Sequence, residues 1–466
     1  MIKFGTSGWR GVMGDDFTFQ NVRIVIQAIA NFLKKKFPGE KLSLIVNYDT
    51  RFLSEKFALE AAKVLSHNQI HVFLSDRDAP SQAHAFQIIK RKAHGGINFT
   101  ASFNPPEYNG LKYNTHQGAP ALPVETDEIE LKVKELLEDY SFCPYYPDEG
   151  YIERVNLRND YLSFIQKKID FKLLRESKIR IGVDLLYGTS REYLDEILEG
   201  NQIIVEEIHG YIDPYFGGIT PSCLEENLSE LKSLVREKKL DLGLATDADG
   251  DRFGIIDEKG RFIEQNLILS LILEYLISRK KWRGGVARSV STTHLIDRIT
   301  RNYNLTLYKT PVGFKYIADL YLKKKIIFGG EESACLALKN HLPEKDGIIA
   351  GLLVAEIVAA EGRPLSQLIE AIFKKYGQRI GCQKSLPLTK DRENRLIKLI
   401  KNPPRELAGR PVVNLETIDG IKFDFSNDDW VLLRFSGTEP VIRYYAEAEN
   451  KQEVEKLMQS VLNELS

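Results

Sequence analysis

Cysteine is scarce in this sequence, and the four that occur (Cys143, Cys223, Cys335 and Cys382) show no CxxC spacing. Scattered cysteines are not typical of a disulfide framework or a zinc site, so we interpret them as reduced thiols of a cytoplasmic protein. An excess of one charge is also missing, because the net charge is −1. This balance argues against a nucleic-acid partner that binds through bulk charge.

Long apolar runs are missing as well. The first residues, MIKFGTSGWRG, lack the apolar core of a signal peptide, and no later run approaches the length of a membrane span. We therefore expect no membrane anchor. The 466 residues predict several domains, and any specific chemistry has to come from local groups of polar residues.

Strand-like and helix-like segments alternate along most of the chain. Residues 3–14 are rich in Gly, Thr and Ser and are predicted as loop, and residues 19–37 have apolar side chains at a helical period. Buried-type strands are predicted over 42–47, 71–75, 95–99, 179–184, 241–245, 284–290 and 325–328. This alternation predicts an α/β module that occurs three times, each with a largely parallel sheet.

Changes in composition suggest the domain boundaries. The stretch 139–150 is predicted to be a linker, and the last part of the chain has several short strand-like pieces with two helices. The predicted α/β domains are residues 1–150, 151–256 and 257–373, and residues 374–466 are predicted to form an α+β domain. Polar loops follow three of the predicted strands, at the edge where open α/β sheets bind ligands.

The first of these loops contains Ser102, a candidate nucleophile. Pro105 and Pro106 stiffen the loop, because proline fixes φ and removes a backbone donor. A hydroxyl at the end of a strand on a rigid loop suits catalysis. The same features also fit a surface turn, so the assignment depends on the other loops.

The second loop, TDADGDR at residues 246–252, predicts a Mg²⁺ site. Asp247, Asp249 and Asp251 can present oxygen ligands to one cation when the backbone turns. An EF-hand is the alternative, with Glu258 as its twelfth residue. Its sixth position requires glycine, but the chain has Arg252 there, and the flanks are strand-like and not helical. We expect a site with few protein ligands and open positions for phosphate.

Three further loops carry groups that suit a phosphorylated sugar. RFSGTEPVIR at 434–443 combines two arginines with hydroxyls and backbone N–H groups, as phosphate sites do, although a solvated hairpin is the alternative. GGEES at 329–333 suits sugar hydroxyls or the start of a helix. TPVGFK at 310–315 contains Lys315, which is either a phosphate ligand, a base or a surface lysine. Together the loops predict phosphoryl transfer on a phosphorylated polyol.

In order and content, these motifs resemble the α-D-phosphohexomutase family over nearly the whole chain. GTSGWRG at 5–11 is similar to its N-terminal signature, and TASFNP at 100–105 is similar to its phosphoserine loop. The resemblance extends to the metal, sugar and phosphate loops. It implies three α/β domains of shared topology and a fourth domain around a central cleft.

The resemblance also implies roles for individual residues. Ser102 is expected to be phosphorylated, and its phosphate is expected to hold Mg²⁺ together with the three aspartates. Arg10 and Lys112 are expected near the phosphoserine, and Lys315 is the candidate general base. The implied substrate-binding residues are Arg252, Thr310, Gly313, Glu331, Ser333, Arg434, Ser436, Gly437, Thr438 and Arg443.

The reaction implied by the resemblance is a double phosphoryl transfer between C1 and C6 of a hexose phosphate, with a hexose 1,6-bisphosphate as intermediate and activator. Glu332 in GEES favours glucose 1-phosphate as substrate, with phosphomannomutase or dual specificity as alternatives. Phe103 replaces the histidine that usually follows the serine. This replacement leaves an inactive sugar-phosphate binding protein open, and a hexose bisphosphate synthase that uses another phosphoryl donor is a second alternative. The chain is expected to be a monomer or a homodimer.

Overall fold

The computed structural model describes residues 2–5, 7–139, 149–437 and 439–465. Four large sheets follow one another along this part of the chain, and helices pack against them. The first three sheets are mixed and the fourth is antiparallel, which confirms the predicted fold class. Within the same residues, no helix has the length and apolar character needed to cross a lipid bilayer.

The first sheet has six strands, and four helices belong to the same region of the chain. Its strands are β1 (Trp9–Val12), β2 (Ser43–Tyr48), β3 (His71–Ser75), β4 (Gly95–Phe99), β5 (Tyr108–Thr115) and β6 (Ile152–Val155). Its helices are α1 (Phe19–Lys36), α2 (Ser54–His67), α3 (Ser81–Arg91) and α4 (Pro123–Glu138). The strand order is β1-β5-β4-β2-β3-β6.

Two sequence predictions for this region have different outcomes. The strand predicted at 42–47 is confirmed to within one residue. The stretch 3–14, predicted as loop, contains the edge strand β1, which pairs antiparallel with β5. The glycine-rich composition of this stretch is not typical of a strand. Its pairing partner lies about a hundred residues away in the sequence, so no local pattern indicates the pairing. Most of the predicted linker lies outside the described residues.

The second sheet has five strands in the middle of the chain. The elements are α5 (Arg158–Ile165), α6 (Phe171–Ser177), β7 (Arg180–Asp184), α7 (Leu194–Glu199), β8 (Ile204–Ile208), α8 (Ser229–Lys238), β9 (Leu242–Thr246), β10 (Phe253–Asp257) and β11 (Phe262–Ile263). The order is β11-β10-β9-β7-β8. The metal loop connects β9 to β10, which are antiparallel neighbours.

The third sheet has four strands in the order β13-β12-β14-β15. The elements are α9 (Gln265–Ser278), β12 (Gly285–Ser289), α10 (Leu295–Asn302), β13 (Leu307–Thr310), α11 (Phe314–Leu322), β14 (Ile326–Glu331), β15 (Cys335–Leu338), α12 (Gly347–Glu361) and α13 (Leu365–Tyr376). Glu331 is therefore the last residue of a strand, whereas the sequence predicted a strand that ended at residue 328. Gly329 and Gly330 belong to β14 because they pair with Ala337 and Leu336 of β15, and neighbouring side chains fill the space beside them.

The fourth sheet is antiparallel, in the order β16-β22-β21-β20-β19. The elements are β16 (Ile380–Pro387), α14 (Lys390–Lys401), β17 (Glu406–Leu407), β18 (Arg410–Pro411), β19 (Asn414–Glu416), β20 (Ile421–Asp424), β21 (Trp430–Phe435), β22 (Val441–Ala448) and α15 (Lys451–Leu465). The phosphate loop connects β21 to β22.

The hydrophobic core shows how these regions are joined. One buried cluster runs through the first three sheets and includes Ile45, Leu244 and Val286. The fourth sheet has a separate core and meets the third through a small cluster that contains Val290 and Trp430. The loops of the first three sheets are therefore held in one continuous packed body.

The start of α12 holds the third region against the metal loop. Asp346 caps this helix by accepting a hydrogen bond from the Ile349 N–H at 2.9 Å. The N–H of Gly347 donates to the carbonyl oxygen of Gly250 at 3.0 Å. A side chain at Gly347 would collide with the carbonyl oxygen of Arg252, so glycine allows this close approach.

Candidate active site

The hydroxyl of Ser102 lies where the first and second sheets meet. Ser102 has a φ of 51°, and a non-glycine residue in this left-handed region costs about 1–3 kcal/mol. Its N–H donates to Oγ1 of Thr100 at 2.8 Å, which stabilises the turn. The side chain is almost completely buried, and its Oγ donates to Oδ2 of Asp247 at 2.8 Å. The candidate nucleophile therefore contacts the candidate metal site directly.

Arg51 holds the backbone of this serine loop, and the sequence did not predict that role. Its guanidinium donates to four carbonyl oxygens, those of Ser102 (2.5 Å), Asn104 (2.5 Å), Pro105 (2.7 Å) and Tyr108 (3.1 Å). Its Nε lies 3.3 Å from Oδ2 of Asp49, and both side chains are fully buried. The polar run at the end of β2 was the available signal, but its partners are about fifty residues further along the chain.

The metal loop brings three carboxylates together. One ligand atom from each of Asp247, Asp249 and Asp251 lies within 4.8 Å of the others, and all three residues are buried. Strands flank the loop, as predicted, so it is not an EF-hand. Among the described residues, Oδ1 of Asp249 and Oδ1 of Asp251 have no hydrogen-bond partner. Buried carboxylate oxygens without partners fit a divalent cation, so the triad is consistent with a metal site.

Two lysines balance part of this negative charge. Nζ of Lys112, in β5, contacts Asp249 and lies 2.8 Å from Oδ2 of Asp251. Nζ of Lys345, from the third region, contacts the same Asp251 oxygen. Burial alone would raise the pKa values of Asp249 and Asp251, but attraction to the two lysines outweighs burial and lowers both. Burial and then repulsion by its neighbours raise the pKa of Asp247 well above its usual range.

Arg10 and Arg252 approach the serine loop from two different sheets. Arg10 is in β1 and donates to Oδ1 of Asn104. The backbone N–H of Arg252 donates to Oδ1 of Asp247 at 3.0 Å, and its guanidinium reaches the ring of Phe103. The structure thus brings both predicted arginines next to the residue that follows Ser102.

The third region contributes Glu331, at the end of β14, and Lys315, in α11. Oε1 of Glu331 accepts a hydrogen bond from the Gly313 N–H at 2.7 Å, so the two predicted loops contact each other. Burial, and then repulsion by Glu332, raise the pKa of Glu331 to about 7. Burial also lowers the pKa of Lys315, which makes a neutral amine more accessible there.

The fourth sheet contributes two arginines from adjacent strands. Arg434 in β21 and Arg443 in β22 are direct partners in the register. Nε of Arg434 donates to Oδ2 of Asp419 at 2.9 Å, and the Arg443 guanidinium donates to Oε2 of Glu439 at 2.6 Å. Thr438, predicted to bind phosphate, lies outside the described residues.

Most of the predicted substrate-binding residues line one cavity. The predicted residues in its lining are Arg252, Gly313, Lys315, Glu331, Ser333, Arg434, Ser436, Gly437 and Arg443. Thr310 is not part of this lining, because it is buried and its hydroxyl points to the Arg288 carbonyl oxygen at 3.5 Å. Lining residues that the sequence did not predict include Ser7, Lys345, Gln383 and Tyr445.

The fold and this cavity together define an enzyme that transfers a phosphoryl group on a sugar phosphate. Sequence profiles of the phosphoglucomutase/phosphomannomutase family match all four regions. The matches are alpha/beta/alpha domain I at residues 1–139, domain II at 159–260, domain III at 264–376 and the C-terminal domain at 391–464.

Relatives match the chain over nearly its full length. The probable phosphoglucosamine mutase of Pyrococcus abyssi is 31% identical, over 98% of this chain and 96% of that protein. The phosphoglucomutase of Komagataeibacter xylinus is 30% identical, over 96% and 87%. The crystal structure of a phosphoglucomutase/phosphomannomutase family protein from Burkholderia thailandensis has the same fold, with a TM-score of 0.85, 20% identity and coverage of 100% and 98%.

The chain therefore belongs to the α-D-phosphohexomutase superfamily. It is a phosphohexomutase, an intramolecular phosphotransferase of the isomerase class.

Proposed function

We propose that this phosphohexomutase interconverts glucose 1-phosphate and glucose 6-phosphate through a phosphorylated Ser102. One observation supports the proposal above all: Oγ of Ser102 lies 2.8 Å from Oδ2 of Asp247, within the buried acidic triad. Phe103, the next residue, lines the same cavity as Arg434 and Arg443 of the fourth sheet. One end of a sugar phosphate can thus meet Ser102 while the fourth sheet binds the other end.

In the proposed first step, the free hydroxyl of a hexose 1-phosphate attacks the phosphorus carried by Ser102. The bond between phosphorus and Oγ breaks, and the proton of the hydroxyl passes to a base. The resulting bisphosphate turns over in the cavity. Oγ of Ser102 then takes the other phosphoryl group, and the proton returns to the sugar oxygen that is left.

The two lysines of the cavity suit different roles in this scheme. Burial lowers the pKa of Lys315, as a general base requires. Burial disfavours the charged form of Lys345, but the attraction of Asp251 and Glu344 is stronger and raises the pKa of this lysine. We therefore assign proton transfer to Lys315 and charge stabilisation to Lys345, Lys112 and Arg10.

The acidic triad fits Mg²⁺, since its buried oxygens without hydrogen-bond partners are hard ligands. Asp247, Asp249, Asp251 and the phosphate on Ser102 would hold this ion. When bound, Mg²⁺ neutralises charge on the transferring phosphoryl group. Ser102, buried beside the triad, keeps its oxygen fixed for attack.

Recognition of the sugar is assigned to the third sheet. Among the described residues, the carboxylate of Glu331 accepts one hydrogen bond, from the Gly313 N–H, and so can accept others from sugar hydroxyls together with Ser333. The remote phosphate is assigned to the fourth sheet, through Arg434, Ser436, Gly437, Thr438 and Arg443. Guanidinium groups next to a polar turn suit a phosphate dianion. Arg252 and Gly313, which line the same cavity, complete the proposed substrate-binding set; Thr310, which the sequence also predicted, is left out because it is buried outside this lining.

A paired-substrate assay tests the sugar preference. Purified protein with Mg²⁺ and glucose 1,6-bisphosphate receives glucose 1-phosphate, mannose 1-phosphate or glucosamine 1-phosphate, and the 6-phosphate is measured by a coupled enzyme. Glucosamine is included because relatives bear the name phosphoglucosamine mutase. We expect the highest kcat/KM with glucose 1-phosphate. A higher value with either other sugar would refute the glucose assignment.

A second experiment tests the nucleophile. Ser102→Ala should remove mutase activity while the thermal unfolding midpoint stays near that of the parent. Intact-mass analysis of the parent should show one added phosphoryl group after incubation with glucose 1,6-bisphosphate, and the variant should show none. Activity in the variant would refute the assignment. Net formation of bisphosphate from glucose 1-phosphate and a separate phosphoryl donor, without mutase turnover, would favour a hexose bisphosphate synthase. An unphosphorylated, inactive parent would favour a binding protein.

A further inference from the structure

Phe103 follows the candidate nucleophile and lines the cavity. Cζ of Arg10, from the first sheet, lies 5.4 Å from the centroid of the Phe103 ring. Cζ of Arg252, from the end of the metal loop, lies 4.2 Å from the same centroid. One aromatic ring therefore contacts two guanidinium groups that come from different sheets.

The ring offsets a repulsion between these two cations. Burial, and then the charge of Arg252, lower the pKa of Arg10 to about 10. The electron-rich face of an aromatic ring attracts a cation within about 6 Å of its centroid. Phenylalanine also stays neutral at every pH, whereas the histidine usual in the family could become protonated and repel both arginines.

Few other contacts orient the guanidinium groups of Arg10 and Arg252 among the described residues. Arg10 donates to Oδ1 of Asn104. Nε of Arg252 lies 3.7 Å from Oδ1 of Asp251, and among the described residues it has no hydrogen-bond partner. The ring of Phe103 is the contact that both groups share.

We propose that Phe103 is a positioning residue that holds Arg10 and Arg252 toward the phosphoryl group carried by Ser102. The inference rests on the proposed role of Ser102. Guanidinium groups bind phosphate oxygens and stabilise the charge of the transferring group, so their misplacement slows the transfer. Phe103 acts through the arginines and does not touch the reacting atoms.

The test varies the electrostatics of the ring at nearly constant shape. Phe103 is replaced by mono-, di- and trifluorophenylalanine, because fluorine withdraws electron density and weakens attraction to cations. Phe103→Leu removes the ring, whereas Phe103→Tyr keeps an aromatic ring at this position. We expect kcat to fall progressively with fluorination, and to fall by a factor on the order of ten in Phe103→Leu. KM should change little in these variants. The kcat of Phe103→Tyr should stay close to that of the parent.

Phe73→Leu is the matched control. Cζ of Arg91 lies 4.6 Å from the Phe73 ring centroid, so this variant also removes a ring–arginine contact, but outside the cavity lining. Its kcat should equal that of the parent. If all the fluorinated variants keep the parent's kcat, the proposal is overturned. A ring that only fills space would give the same kcat whatever its electron density.

A binding measurement separates this inference from the proposed function. Calorimetry with inorganic phosphate is carried out with Arg434→Met and Arg443→Met in every variant, so that it reports phosphate binding near Arg10 and Arg252 without any turnover and without the fourth-sheet site. Weaker phosphate binding across the fluorinated series supports the role of Phe103 even if the parent proves inactive as a glucose phosphate mutase. Unchanged phosphate binding together with unchanged kcat overturns the role of Phe103 while the function of Ser102 stands.

Discussion

Replacement of Arg51 by methionine should disrupt the serine loop without touching the substrate cavity. The guanidinium of Arg51 donates to four carbonyl oxygens of the loop, at 2.5 to 3.1 Å, and pairs with Asp49. Methionine keeps much of the apolar length but none of the donors. The four carbonyls and the carboxylate of Asp49 would then lose their cation, and Asp49 and Ser102 are both buried.

The buried ion pair sets the size of the effect. Removing one partner of such a pair typically costs about 3–5 kcal/mol, because the other charge stays buried without compensation. Asp49 is fully buried, and burial already raises its pKa against the attraction of Arg51. We therefore expect Arg51→Met to lower the free energy of unfolding by about 3–5 kcal/mol. The left-handed conformation of Ser102 should also relax, so that phosphorylation slows.

Two assays and one control variant check this prediction. Urea unfolding followed by circular dichroism gives the stability, and intact-mass kinetics with glucose 1,6-bisphosphate give the rate of Ser102 phosphorylation. Arg279→Met is the control, because Arg279 also donates two hydrogen bonds to a carboxylate, that of Glu361, but its side chain is 61% exposed. An exposed pair of this kind contributes little to stability, so Arg279→Met should unfold like the parent. Parent-like stability and phosphorylation in Arg51→Met would refute the reasoning.

Two further predictions concern packing and pH. A Cβ at Gly347 would lie 2.2 Å from the carbonyl oxygen of Arg252, so Gly347→Ala should lower stability by about 1–3 kcal/mol and reduce mutase activity. Gly351→Ala, in the same helix but with its nearest contact at 3.4 Å, should leave activity unchanged; equal activity of the two variants would contradict the packing argument. Burial, and then Arg288, lower the pKa of Lys422 to about 7. Because the unfolded chain then binds more protons above that pH, urea unfolding should show stability rising by about 2–3 kcal/mol between about pH 7 and pH 9, and Lys422→Met should show no such rise.

Much of the fold and part of the site follow from local patterns. Strands β2, β4 and β9 are within about one residue of their predicted positions, because a short apolar run bounded by polar turns is a local signal. The acidic triad is also local, since Asp247, Asp249 and Asp251 belong to one turn. These local signals predict phosphoryl transfer on a phosphorylated polyol, and the order of the motifs adds the resemblance to the α-D-phosphohexomutase family.

Contacts between distant segments could not be read from the sequence. Arg51, Lys345 and the shared contact of Phe103 with Arg10 and Arg252 all depend on chain segments that meet only in the folded protein. Their partners are separated by tens to hundreds of residues, so no local period or spacing indicates them.

The order of amino acids sets which chemical groups are available: a hydroxyl, three carboxylates and several cations, most of them on loops that follow strands. The tertiary structure alone decided that Ser102 touches Asp247, that Lys345 balances Asp251, and that Thr310 points away from the cavity. The physical reason is distance. Hydrogen bonds and ion pairs act over a few ångströms, and only folding brings these groups that close.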